Sequence, residues 1–230
     1  MSHAFADAAA ELDLLLSHAH VKVSDLVAGG GGEATFTQSL RKSLSDEGWK
    51  KHEFVVSKNV DGVELTSQSH EIDHVKKFDK GTIALEIEWN NKDTFYDRDL
   101  ENFARLHSDG AIALGIIVTR GASLQESFRD LTRRYAERSG INDLEALSAH
   151  LETLDRALTP RQRRTMENDV RTSGLPFPEV WSRRFVQDKF GQATTHWAKL
   201  QVRLSRGVGN PCPLVCIGIP VTMVVEDRPA

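Results

Sequence analysis

Hydrophobic and polar residues alternate most regularly between Gly81 and Trp89. Ile83, Leu85 and Ile87 share one parity, and Ala84, Glu86 and Glu88 share the other. A period of two predicts a strand, with both glutamates on one face roughly 6–7 Å apart. The surrounding IALEIEW run is apolar and rich in strand formers, which predicts a central position. Residues 111–119, AIALGIIVT, are apolar on both parities and predict a strand covered on both faces. Residues 53–57 and 63–75 read as further strands, the second carrying Asp73. Helical spacing takes over at 4–17 (Phe5, Ala9, Leu12, Leu16), at 33–46 (Phe36, Leu40, Leu44) and at 96–107 (Leu100, Phe103, Leu106). Glu33 falls in the first turn of the second of these, Gly48 ends it, and Gly110 stops the third. Strand, helix, strand in this order predicts a crossover and an α/β fold with a mixed sheet.

Past Gly121 the pattern becomes helical and more polar. A helix is predicted over 123–138, capped by Ser123 and bearing Arg129, Arg133, Arg134 and Arg138. Polar helix continues over 142–172 with a break at Pro160, then a loop at 174–178, a helix over 192–206 and a last strand over 213–225. The organisation expected is one domain over residues 1–230, with a helical insertion at about 123–172.

Composition narrows the class. An apolar share of 40 % suffices for a core, and no run of roughly 18 apolar residues predicts a membrane span. The first twenty residues lack a basic leader and carry acids inside their apolar stretch, which fits an amphipathic helix and a cytoplasmic protein. Net charge is -4, yet residues 161–206 hold ten Lys and Arg against four acids. Such an excess suits a phosphate backbone, as it suits a solvated helix face. Cys212 and Cys216, placed on one strand, would stand about 13 Å apart and could not form a disulfide.

The chemistry concentrates near the alternating strand. Asp73 lies 13 residues before Glu86, with the turn-like Asp79-Lys80-Gly81 between them. A hairpin of that span brings Asp73 beside Glu86 and Glu88. Three converging carboxylates repel one another unless a cation sits among them, and oxygen-only ligands suit a hard cation such as Mg²⁺. His70-Glu71-Ile72-Asp73-His74 also fits the HExxH zinc pattern. That chemistry needs a helix, and residues 65–69 supply no helical stripe. The glycine run 29–32 lacks the Gly-Lys-Ser/Thr ending of a phosphate loop. In Gly191–His196, the polar groups of Gln192, Thr194, Thr195 and His196 would meet phosphates or base edges, or simply cap the helix that follows.

IDHVKKFDKGTIALEIEWNNKD, followed by RDLENFARLHSDGAIALGIIVTRG, resembles the BglII/BstYI group of type II restriction endonucleases and, more distantly, BamHI. These belong to the PD-(D/E)xK nuclease superfamily. GGGGEATFTQSLRKSLSDEGW resembles the helix preceding the catalytic sheet, and GVGNPCPLVCIGI the closing strand. The resemblance covers roughly 29–120 and 185–220 and leaves 123–172 unplaced. It implies a restriction-endonuclease-like fold, a central mixed sheet flanked by helices, acting as a homodimer on double-stranded DNA. It implies Asp73 and Glu86 as metal ligands with the Ile87 carbonyl as a third donor for Mg²⁺. Glu88 takes the position of the usual lysine, as in BamHI, and Ile72 that of the usual proline. Glu33 and Lys92 are further catalytic candidates. Base or backbone contacts are expected from Gln192, Thr194, Thr195, His196, Lys199, Arg206 and Asn210. The activity implied is Mg²⁺-dependent cleavage at a short palindrome containing GATC. The alternatives are a methylation-dependent or repair nuclease on the same fold, or a DNA-binding module without cleavage.

Overall fold

The computed structural model describes residues 4–28 and 32–226. Its chain forms two compact units. The first holds the chain up to Ala19, Thr35–Ala122 and Thr195–Ile219. The second holds His20–Ala34, Ser123–Thr194 and the chain from Pro220. The helical stretch after residue 122 therefore clusters with residues 20–34 and with the end of the chain.

In order, the elements are α1 (Ala6–Ser17), β1 (Val21–Lys22), α2 (Val23–Ala28), α3 (Thr35–Asp46), β2 (Lys50–Val60), β3 (Val63–Phe78) and β4 (Gly81–Glu88). Then follow α4 (Phe95–Ser108), β5 (Leu114–Arg120), α5 (Ala122–Arg138), α6 (Leu144–Glu152), α7 (Pro160–Ser173) and α8 (Phe177–Phe190). The chain ends with α9 (Trp197–Ser205), β6 (Leu214–Ile219), a 3₁₀ turn at Val221–Met223 and β7 (Val224–Val225).

The first unit is a five-stranded mixed sheet in the order β2-β3-β4-β5-β6. The β2/β3 and β3/β4 pairs are antiparallel; β4/β5 and β5/β6 are parallel. The β2–β3 hairpin turns at Asp61 and Gly62, whose φ angles of 50° and 81° are what a two-residue turn with the strands' own twist needs. β3, β4 and β5 are the inner strands, and β4 and β5 are the most deeply buried. From Ile83 to Glu88 and from Leu114 to Arg120 every residue is buried, as the two-sided apolar run of β5 predicts. Helix α4 packs on β4 and β5. Its Tyr96, Leu100, Phe103 and Leu106 join Ile72, Ala84, Ile112 and Ile117 in the main core. Gly115 lets Phe103 lie flat on β5: a Cβ there would meet Phe103 Cδ2 at 2.5 Å and Leu214 Cδ2 at 2.9 Å. Gly115→Ala is expected to cost about 1–3 kcal/mol through overpacking, read as a fall in thermal denaturation midpoint.

One irregularity matters for the site. β3 pairs Val75 with Lys50 but Ile72 with His52, so β3 carries one extra residue at Asp73–His74. This β-bulge reverses the alternation along β3. Ile72 and His70 thereby face α4, along with Val75 and Ala84, while His74 pairs with Leu85 on the opposite face.

The second unit is built on Leu124, Phe128, Leu131, Tyr135, Leu147, Leu151, Val180, Trp181 and Phe190, all buried. Phe128 stacks on Phe190 with ring centroids 4.2 Å apart. Several boundaries depart from the sequence reading. Ser123 is no cap; α5 begins at Ala122, and the Ser123 hydroxyl accepts from the Val221 N–H instead. Pro160 starts α7 rather than interrupting a longer helix, because Thr159 and Gln162 form a reciprocal capping box around it. The loop read at 174–178 ends at Pro176, and α8 begins at Phe177 with Pro178 in its first turn. The helix placed at 192–206 begins at Trp197, and the strand placed at 213–225 ends at Ile219. Gly29–Gly31, most of the glycine run, lie outside the described residues.

Candidate active site

At the C-terminal end of β4 the chain gathers four carboxyl groups. The β3 bulge releases the Asp73 N–H from the ladder, and it donates to Glu86 Oε1 at 3.3 Å. Glu86 and Glu88 share the α4 face of β4 and are 5 % and 2 % exposed. The fourth acid, Asp99, comes from the first turns of α4 and is 2 % exposed. Its carboxyl lies beside that of Glu88, and the two interact electrostatically. Two ionised carboxylates side by side repel, and a proton or a cation between them relieves the repulsion. Asp99 Oδ2 is buried and otherwise meets no protein donor.

The acids are held in place from behind. Asn91 Nδ2 donates to Glu88 Oε2 at 2.9 Å. The Tyr96 hydroxyl donates to Thr119 Oγ1 at 2.5 Å, and Thr119 in turn donates to the Glu88 carbonyl at 2.7 Å. Arg98 Nε donates to Asp99 Oδ1 at 2.8 Å, and its Nη2 lies 3.9 Å from Glu88 Oε1. At the end of β5, Arg120 is fully buried and its Nε donates to the Thr195 carbonyl at 3.1 Å. The Thr195 N–H donates to the Asn91 carbonyl at 2.9 Å, which ties the segment before α9 to the loop after β4.

The electrostatics follow from burial. Loss of water pushes the Glu86 carboxyl up to about 9, the negative charges of Asp99 and Asp73 add to this, and the Asp73 N–H and Arg98 oppose it. Burial, then the Asp99 carboxyl, pushes Glu88 up, and the Asn91 amide opposes the shift. Asp99 is raised as well, again by burial first. A site that stores protons on hard oxygen donors at neutral pH is one that a divalent cation can occupy by displacing them. Among the described residues no three His, Cys, Asp or Glu side chains form a ready metal cage. The oxygen donors at this strand end are the carboxyls of Asp73, Glu86, Glu88 and Asp99, hard ligands of the kind divalent cations of low softness take.

A sequence model of the family described as "Restriction endonuclease BglII/BglIII" matches residues 1–219. The chain belongs to this family. It is a type II restriction endonuclease, a hydrolase whose substrate is DNA, and its family works with divalent metal ions. The mixed α/β sheet agrees with that fold. No match is found among curated proteins. No helix among the described residues is long and apolar enough to cross a membrane.

Of the residues singled out from sequence, this endonuclease brings together Asp73, Glu86 and Glu88; Ile87 lies between the two glutamates on β4. Lys92 is exposed in the loop before α4. Glu33 is exposed and precedes α3, which begins at Thr35 rather than at Glu33. Glu33 belongs to the second unit and the acids to the first. Gln192 is exposed, and Thr194 Oγ1 donates to the Gly191 carbonyl. Thr195 and His196 are 0 % and 4 % exposed, the latter as N-cap of α9. Lys199 pairs with Asp93 at 3.4 Å, and Arg206 and Asn210 are exposed beyond α9. Cys212 lies before β6 rather than on it, and both thiols are free. The HExxH residues lie on strand β3, and its bulge puts His70 and His74 on opposite faces; His70 Nδ1 pairs with Asn102 Oδ1. That removes the zinc reading. Sequence reasoning missed Asp99, Arg98 and Asn91. Asp99 sits in the polar first turns of an amphipathic helix, where acids are ordinary, and only the packing of α4 on β4 reveals its neighbours.

Proposed function

We propose that the endonuclease hydrolyses one phosphodiester in each strand of a short palindrome related to GATC, with Mg²⁺ as cofactor and as a homodimer. The observation that supports this is the meeting of Asp73 with the buried Glu86–Glu88 pair on a strand end. Asp73, Glu86 and the Ile87 carbonyl would hold the cation, which when bound polarises the phosphate and acidifies water. Glu88 is the carboxylate that takes a proton from the attacking water, with Asn91 fixing its orientation. The water oxygen bonds to phosphorus, one P–O ester bond breaks, and the departing sugar oxygen takes a proton from solvent. Two such sites related by a twofold axis cut both strands of a symmetric sequence.

The test is a plasmid digest with purified protein and Mg²⁺, followed by sequencing of the ends. Discrete fragments sharing one palindrome are expected. Random degradation would overturn site specificity. Cleavage only of methylated plasmid would favour the methylation-dependent alternative, and sedimentation of the complex as one chain per duplex would overturn the dimer.

A further inference from the structure

The described acids at the end of β4 are served by one neighbouring arginine, and its geometry points outward as well as inward. Arg98 has a side chain 55 % exposed, while the Glu88 and Asp99 side chains it approaches are 3 % and 2 % exposed. It therefore runs from the buried carboxyls to solvent. It is also held rigidly. Nε and Nη2 both reach Asp99 Oδ1 at 2.8 Å, and the guanidinium lies over the Phe95 ring at 4.4 Å. A guanidinium has five N–H donors in a planar fork. Asp99 occupies the Nε/Nη2 edge, and the Nη1/Nη2 edge keeps the paired donors that match two oxygens of a phosphate.

We propose that Arg98 is a catalytic residue of this endonuclease, donating from its outer edge to a non-bridging oxygen of the scissile phosphate. Asp99 is then its positioning residue. This rests on the reading of Asp73, Glu86 and Glu88 as the hydrolytic centre. The chemistry asks for it: as water adds to phosphorus, negative charge grows on the non-bridging oxygens beside several carboxylates, and a fixed cation there counters the repulsion. Glu88 cannot do so, because it carries the wrong charge.

The test compares Arg98→Ala, Arg98→Lys and Glu86→Gln in single-turnover cleavage with enzyme and Mg²⁺ saturating. DNA binding is measured separately in Ca²⁺, and folding by circular dichroism. Arg98→Ala should cleave about 10²-fold more slowly, with binding within about threefold of wild type. Arg98→Lys should recover part of the rate. Methylguanidinium should accelerate Arg98→Ala but not Glu86→Gln, and equal sodium chloride should do neither. A second readout needs no cleavage. Replacing the scissile phosphate by a neutral methylphosphonate should change wild-type binding more than it changes Arg98→Ala binding, because the alanine variant has no guanidinium left for the phosphate charge to attract. Arg98→Ala cleaving like wild type while Glu86→Gln is inert would overturn the role of Arg98 and leave the centre standing. Both cleaving like wild type would overturn the centre itself. If Arg98→Ala does not fold, Arg98→Lys and Arg98→Gln decide: folded variants equally slow and indifferent to methylguanidinium and to the methylphosphonate would make Arg98 a structural ion pair only.

Discussion

Glu86→Gln and Asp73→Asn are each expected to lower the cleavage rate on the order of 10³-fold, about 4 kcal/mol of transition-state stabilisation. Their affinity for the recognition duplex in Ca²⁺ should change far less. Both substitutions keep shape and remove charge, so the loss measures charge. The two differ in one respect. Glu86 is buried and accepts from the Asp73 N–H, and a glutamine oxygen can still accept, so the β3 bulge should survive. Asp73 is only partly buried, so its replacement perturbs packing little. A rate within about tenfold of wild type for either variant, in gel-based single-turnover assays, would remove that residue from the centre.

The second large effect is on stability. Without a cation, burial raises the Glu86 carboxyl from near 4.5 to about 9. Between those limits the folded protein holds a proton that the unfolded chain has released. The unfolded state therefore binds fewer protons, and stability falls as pH rises from about 4.5 to about 9. Glu88 and Asp99 are shifted in the same direction, so they steepen the fall. A divalent cation that replaces the protons should reverse the trend. Calorimetric scans at pH 6 and pH 9, with and without Mg²⁺, should show the midpoint gain from metal growing with pH, and titration should show proton release on metal binding. The Glu86→Gln variant should lose much of both effects. A metal-free midpoint that rises steadily over this window would mean the carboxyls are not where burial places them.

The sheet was readable because its signals are local. Period-two alternation marks β4, and two-sided apolarity marks β5 as an inner strand, which it is. The residues that converge in space but not in sequence were harder. Asp73 and Glu86 could be joined because a single hairpin connects them. Asp99 could not, since its neighbours depend on how α4 lies across the sheet. Helix α8 escaped for a different cause: Pro178 read as a loop marker, although proline also starts helices, and Phe177, Val180 and Trp181 share one buried side. The buried state of Thr195 and His196 was likewise out of reach, because it depends on Arg120 reaching from the end of β5 to the Thr195 carbonyl.

The extra residue in β3 also sets a counting rule for the gene. Strip out one of the Asp73–His74 pair, and β3 becomes a regular partner of β2, with Ile72 still opposite His52. Ile72 and Val75 would keep their side of the sheet, while the Asp73 N–H that reaches Glu86 would be lost or returned to the ladder. A single in-frame codon loss there would thus spare the core and strike the carboxyl cluster alone.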